Sequence, residues 1–313
     1  MQLRLVKVPF PTLAGALLAV IACSAGAAAV SPPPPGASGA AALKARYERI
    51  RDQLDHSPFG RPIHLASREG DGELRGDVYA VVPQPYGRVA TLEQAPHWCE
   101  ILMLPFNTKR CTTEASDAGQ DLSIYIGRRA DPDAGRAYRI DFHYLVAARG
   151  DDFLQVALRA PTGPLGTRDY RIVLEALPLD ARRSLIHLSY GYGYGTLSRV
   201  AMQAYLATAG ANKVGFTVEG RGADGKPAFV GGMRGVMERN TMRYFLAIEA
   251  YLDSLSEPAA LRVHKRLGEW FDASERYPRQ LHEMERGEYL AMKERELAPG
   301  AGCCRVAGSP TGS

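Results

Sequence analysis

Near residue 190 three tyrosines alternate with three glycines: Tyr190, Gly191, Tyr192, Gly193, Tyr194, Gly195. At the two-residue period of a strand the tyrosines share a face with Ile186 and Leu188, and the glycines share the other with His187 and Ser189. Tyrosine rings are apolar with polar tips, which suits the wall of a half-wet cavity. A glycine row removes side-chain volume and permits a bend or the close approach of another backbone. Strand preference of tyrosine alone would also produce this pattern. A second polar concentration lies at 231–240, where Arg234 and Glu238 stand four residues apart at the head of a helical pattern. On a helix surface such a pair contributes a few tenths of a kcal/mol. At the mouth of a cavity it would hold a carboxylate or a lipid head group.

Acid–base, metal and nucleotide chemistry find less support. His97, His143 and His187 stand alone in the sequence, and general acid–base catalysis needs a partner within hydrogen-bond reach. His282-Glu283 lacks the second histidine of a zinc-protease helix, and the glycines at 191–195 do not form a phosphate loop. There is no GxSxG nucleophile turn. No metal and no cofactor are expected. Cys99 and Cys111 are not spaced as a zinc site; a structural disulfide and two buried thiols both fit them. Cys303 and Cys304 are a vicinal pair in a polar tail.

The elements that must position these residues follow from periodicity. Leu43, Tyr47, Ile50 and Leu54 form one stripe of a short helix over 43–55, stopped by Pro58, Gly60 and Pro62. Two strands follow, the second with Val78, Ala80 and Val82 alternating, and then a helical or irregular excursion over 86–104 that holds Trp98. From 108 onward strands come in succession. Their apolar faces are Leu122/Ile124/Ile126, Tyr138/Ile140/Phe142/Tyr144/Val146, Leu154/Val156/Leu158, Tyr170/Ile172/Leu174/Ala176 and Ile186/Leu188/Tyr190/Tyr192. Turn residues between them predict an antiparallel meander with one buried face. A helix over 197–208 and a last strand over 213–219 come next. A long helix over 233–256 carries the stripe Met237, Thr241, Tyr244, Ile248, Leu252, Leu255 and is stopped by Pro258.

This order resembles the helix-grip fold of the START and Bet v 1-like superfamily: an α+β chain in which a curved antiparallel sheet wraps a long C-terminal helix. Here an extra helical tail would follow. The resemblance covers residues 43–256 and rests on element order. It implies a hydrophobic cavity between sheet and helix, and hence a lipid or hydrophobic small molecule as partner. Phe142, Tyr144, Tyr190, Tyr192 and Tyr194 would line it, with Arg234 or Glu238 near the rim and Val156 on the same apolar face without a ligand role. A cyclase- or hydrolase-type enzyme using that cavity, and a non-catalytic envelope interaction protein, are the alternatives.

The ends of the chain speak to location. Arg4 and Lys7 precede an apolar run over 12–22, the anatomy of an export signal and shorter than the roughly 20 residues of a spanning helix. Val20-Ile21-Ala22-Cys23 reads as a lipobox, which would acylate Cys23; Ala25-Gly26-Ala27 offers an ordinary cleavage site instead. A Pro- and Ala-rich tether over 23–42, the ligand-binding domain over 43–256, a helical extension over 257–297 and a disordered tail over 298–313 complete the expected organisation, that of a periplasmic, membrane-anchored lipoprotein. The 313 residues are 46% hydrophobic and 23% charged, so a packed core is affordable, and the net charge of +4 falls to +2 without residues 1–22. That lacks the basic footprint of a nucleic-acid binder. From 257 to 313 nine acids balance nine bases, so the tail helices should pack on the domain and not on an anionic membrane.

Overall fold

The computed structural model describes residues 39–116, 119–127, 137–208, 210 and 212–298. The signal, the lipobox with Cys23, most of the tether and Cys303–Cys304 lie outside the described residues.

Eight strands form one sheet: β1 (Ile63–Gly70), β2 (Glu73–Val82), β3 (Thr108–Ser116), β4 (Gly119–Ile126), β5 (Tyr138–Arg149), β6 (Leu154–Thr162), β7 (Arg168–Pro178) and β8 (Ser184–Gly193). Their order is β1-β2-β8-β7-β6-β5-β4-β3, and every neighbouring pair is antiparallel. The meander from β3 to β8 follows the sequence pattern. The joining of the β1–β2 hairpin to β8 does not, because strand order depends on which edges meet. Bulges in β3, β5 and β7 bend the sheet. Val146, the last residue before the β5 bulge, is exposed although it continues the alternation of Phe142 and Tyr144 and pairs with buried Val156; Tyr138, at the start of β5, is exposed as well.

The long helix α5 (Gly232–Ser254) lies across β1, β2 and β8. Gly76 on β2 makes this approach: a Cβ there would sit 3.1 Å from Thr241 Cβ and 3.2 Å from Met237 Cγ. The far side of α5 is covered by α6 (Ala259–Glu275), whose Leu267, Trp270 and Phe271 are buried. A short α7 (Pro278–Leu281) leads to α8 (Arg286–Leu297), which buries Tyr289 and Met292. Lys109 and Lys293, both buried, share the two oxygens of Glu296 at 2.8 Å each and so fasten α8 to β3. The helical tail therefore packs on its own domain, and α5 is buried nearly all round.

The other face of the sheet is covered at one end. Helix α1 (Gly39–Asp55) sets Leu43, Ile50 and Leu54 against Tyr79, Leu177 and Leu185. The expectation of a sheet with a single buried face is corrected here: β8, at the middle of the sheet, is buried on both sides.

The excursion after β2 contains α2 (Tyr86–Val89), a 3₁₀ turn and α3 (Ala95–Leu102), where Trp98 is buried. Cys99 on α3 and Cys111 on β3 form a disulfide, Cα–Cα 5.3 Å, deciding between the two readings of that pair. After β8 comes α4 (Thr196–Ala207). The single strand expected over 213–219 is instead a small separate hairpin, β9 (Val218–Arg221) with β10 (Pro227–Phe229). The N–H groups of Phe216 and Thr217 donate to Glu238 Oε2 at 2.6 and 2.9 Å, while Gly215 N–H donates to the Val230 carbonyl and Val230 N–H to the Thr217 carbonyl, so this segment extends the small hairpin and not the large sheet.

Candidate functional site

Because α5 lies over β1, β2 and β8, the bent surface of β4 to β7 is left uncovered by it. A cavity of about 510 Å³ occupies that space. Its walls are Ile124 and Ile126 of β4, Ile140 and Phe142 of β5, Tyr170 and Ile172 of β7, Tyr190 and Tyr192 of β8, and Val236, Asn240 and Tyr244 of α5. Helix α4 closes one side with Ser198, Ala201 and Met202. On its outer side α4 leaves Leu197 and Val200 exposed, next to exposed Leu165 of the 164–166 turn.

The tyrosines form a connected group. Tyr170 and Tyr192 stack at 5.1 Å between ring centroids, and Tyr190 meets Tyr244 edge-on at 5.2 Å. The Tyr170 hydroxyl donates to Thr167 Oγ1 at 2.9 Å. Among the described residues, the hydroxyls of Tyr190, Tyr192 and Tyr244 have no protein partner. Burial pushes all three upward, Tyr244 to about 12, so they remain protonated donors at neutral pH. No described residue lining the cavity is charged, a histidine or a cysteine. Among the described residues no cluster of metal-ligating side chains occurs, and no helix is long and apolar enough to cross a membrane.

The residues expected at the site divide sharply. Phe142, Tyr190 and Tyr192 line the cavity. Tyr144 lies deeper, and its hydroxyl donates to the Leu92 carbonyl at 3.0 Å, which also accepts from Trp98 Nε1. Tyr194 lies past the end of β8 and donates to Glu69 Oε1 at 2.9 Å. Val156 is fully buried in the core. Glu238 is not at a rim: fully buried, it also accepts from the hydroxyls of Ser67 and Thr217 at 2.6 and 2.7 Å. Arg234 donates to Glu219 at 2.9 Å and to Ser67 Oγ at 3.3 Å. Neither borders the cavity; both pin the 215–219 segment to β1 and α5. The residues missed are Tyr170, Tyr244 and Asn240. Tyr170 and Tyr244 were visible on their apolar stripes, but nothing in a stripe distinguishes a cavity wall from a filled core. Asn240 is one residue from the stripe, where a polar side chain reads as surface.

No family model and no curated protein matches the sequence. Solved structures to which the chain is similar include norcoclaurine synthase from Thalictrum flavum, at 14% identity and TM-score 0.31 over 47% of this chain and 79% of that one. Another is the Zhui aromatase/cyclase from Streptomyces sp. R1128, at 13% identity and TM-score 0.32 over 66% and 94%. A third is a START superfamily protein from Mycobacterium smegmatis, at 12% identity and TM-score 0.28 over 47% and 93%. The helix-grip assignment itself rests on the strand order and the packing of α5.

Proposed function

We propose that this chain is an exported binding protein for an uncharged hydrophobic small molecule or lipid, held between the sheet and α5. The observation that carries the reading is the cavity of about 510 Å³, apolar and aromatic over most of its wall, into which a few tyrosine hydroxyls converge. Ligand sites have this composition and a volume of about 300–1,000 Å³. Among the described residues the wall holds no carboxylate, histidine or thiol, which favours binding over acid–base turnover. Export and anchoring through Cys23 rest on the signal anatomy. The Cys99–Cys111 disulfide accords with an oxidising compartment.

The test is native mass spectrometry after gentle extraction, paired with titration of the neutral fluorophore N-phenyl-1-naphthylamine. A co-purifying hydrophobic molecule, or saturable fluorophore binding that Tyr192→Trp removes, is the expected result. Neither a bound species nor a response to that substitution would remove the reading. Radiolabelled palmitate should enter the wild-type chain and not Cys23→Ser; failure to label the wild type would end the anchor.

A further inference from the structure

On the face of the sheet turned away from the cavity, register aligns arginines. Arg68 of β1 stands opposite Arg75 of β2, Arg75 opposite Gly191 of β8, Gly191 opposite Arg171 of β7, and Arg171 opposite Arg159 of β6. Four guanidiniums thus share one cross-strand row, interrupted only by a glycine. Like charges directly opposite one another destabilise a sheet. Arg75 is held by Asp77 at 2.8 Å. Arg68, Arg171 and Arg159 are exposed, and among the described residues none of the three has an ion-pair partner. The row therefore carries repulsion that packing does not explain.

At the glycine the row opens into a trough of about 330 Å³ bordered by Arg68, Arg75, Arg171 and Ser189. Gly191 is required there, since a Cβ would lie 2.9 Å from the Leu74 carbonyl oxygen. Ser189 is only 8% exposed, lines the trough, and its hydroxyl has no partner among the described residues. Of the bordering acids, Glu175 is committed to His187 and Gln155 at 2.7 Å each, and Asp169 to Arg168 at 3.4 Å. Glu73, which also borders the trough, lies two residue pairs from Gly191, opposite Gly193, and confines an anion to the Gly191 end.

We infer that this trough binds an oxyanion, a phosphate or carboxylate group, clamped by Arg68 and Arg171 with Ser189 donating from below. The guanidinium fork matches such groups with two parallel hydrogen bonds. A soluble phosphate and a lipid head group present the same chemistry, and the two are separable by experiment. The full chain, labelled with nitrogen-15, is titrated with inorganic phosphate. In parallel it is co-sedimented with phosphatidylcholine vesicles containing phosphatidylglycerol. Saturable shifts of the Ser189, Gly191 and Gly193 amides with phosphate support a soluble ligand; vesicle binding without those shifts supports a head group. In either case the double variant Arg68→Gln/Arg171→Gln should weaken binding about tenfold or more, while Arg159→Gln, outside the trough, changes it little. Both arginines are exposed, so the variant keeps its fold; an unchanged spectrum elsewhere verifies this. No response to either probe, or a response that the double variant leaves intact, overturns the inference.

Discussion

The two faces of β8 are both buried, and they are buried by opposite means. Toward α5, Ile186, Leu188, Tyr190 and Tyr192 meet apolar and aromatic side chains and a cavity whose described walls carry no charge. Toward the other side, His187 lies between two carboxylates, Nδ1 at 2.7 Å from Glu175 and Nε2 at 2.9 Å from Asp77, with its ring stacked on Tyr79 at 4.1 Å. With an acceptor at each nitrogen the ring is an imidazolium. Burial opposes that charge, but the hydrogen bonds to Asp77 and Glu175 outweigh it and hold the pKa above the ordinary 6.5. Burial likewise raises Asp77, yet the His187 bond and Arg75 prevail and bring it to about 2. One strand therefore shows that an interior can be closed by excluding charge or by satisfying it, and the two solutions respond differently to perturbation.

The largest expected effect breaks the charged side. His187→Leu removes the cation shared by the half-buried Asp77 and Glu175, leaving them only Arg75 and Gln155, and should cost about 3–5 kcal/mol, measured by urea denaturation. A loss under about 1 kcal/mol would mean that the carboxylates are solvated and the contrast between faces is false. Next comes the apolar side. Cys99 and Cys111 tie α3 to β3 across a separation of 12 residues. Replacing both by serine should cost roughly 3 kcal/mol through the unfolded chain, with cavity binding of the fluorophore retained at low temperature.

The comparison sharpens with pH. The stability from His187 is complete below its unfolded value of 6.5 and is lost as pH rises through its elevated folded value. The stability from Asp77 is present above 3.8 and is lost as pH falls toward about 2. Urea midpoints should decline at both ends, and His187→Asn should abolish the alkaline decline. Fluorophore affinity should stay flat from about pH 6 to about pH 9, because among the described residues the titratable groups lining the cavity are tyrosine hydroxyls, all with raised pKa values. A titration of binding near neutrality would point to a group other than the described residues of the wall. The smallest effect is Tyr192→Phe, which keeps the ring and should weaken a hydrogen-bonded ligand by about 0.5–1.5 kcal/mol without altering the urea midpoint.

Much of this contrast was legible in β8 itself, where tyrosines and small or polar residues alternate. The apolar stripes of β4 to β8 and of α5 identified the elements and the covering helix. What they could not reveal is where the cover stops. That boundary arises from Gly76, whose missing side chain seats α5 over β2 and so leaves β4 to β7 open. Glu238 was read as a rim residue because a helix start rich in polar groups normally faces water. Its burial follows from four donors brought by Ser67, Phe216 and Thr217, distant or irregular positions that no local spacing connects to it. The arginine row was equally hidden, since each member sits alone on its strand and only register aligns them.

The strand order also governs how the chain reaches this state. The β1–β2 hairpin finds its second neighbour only in β8, so Val78 must wait for Leu188 and Glu73 for Gly193, more than a hundred positions downstream. The fastening of β3 by α8 spans 185 residues between Thr108 and Lys293. Contacts this remote reward the chain only after long loops have closed, which places refolding among the slow, non-local topologies of milliseconds to seconds. A chain truncated before β8 would leave β2 with an unpaired edge, and such edges recruit other chains.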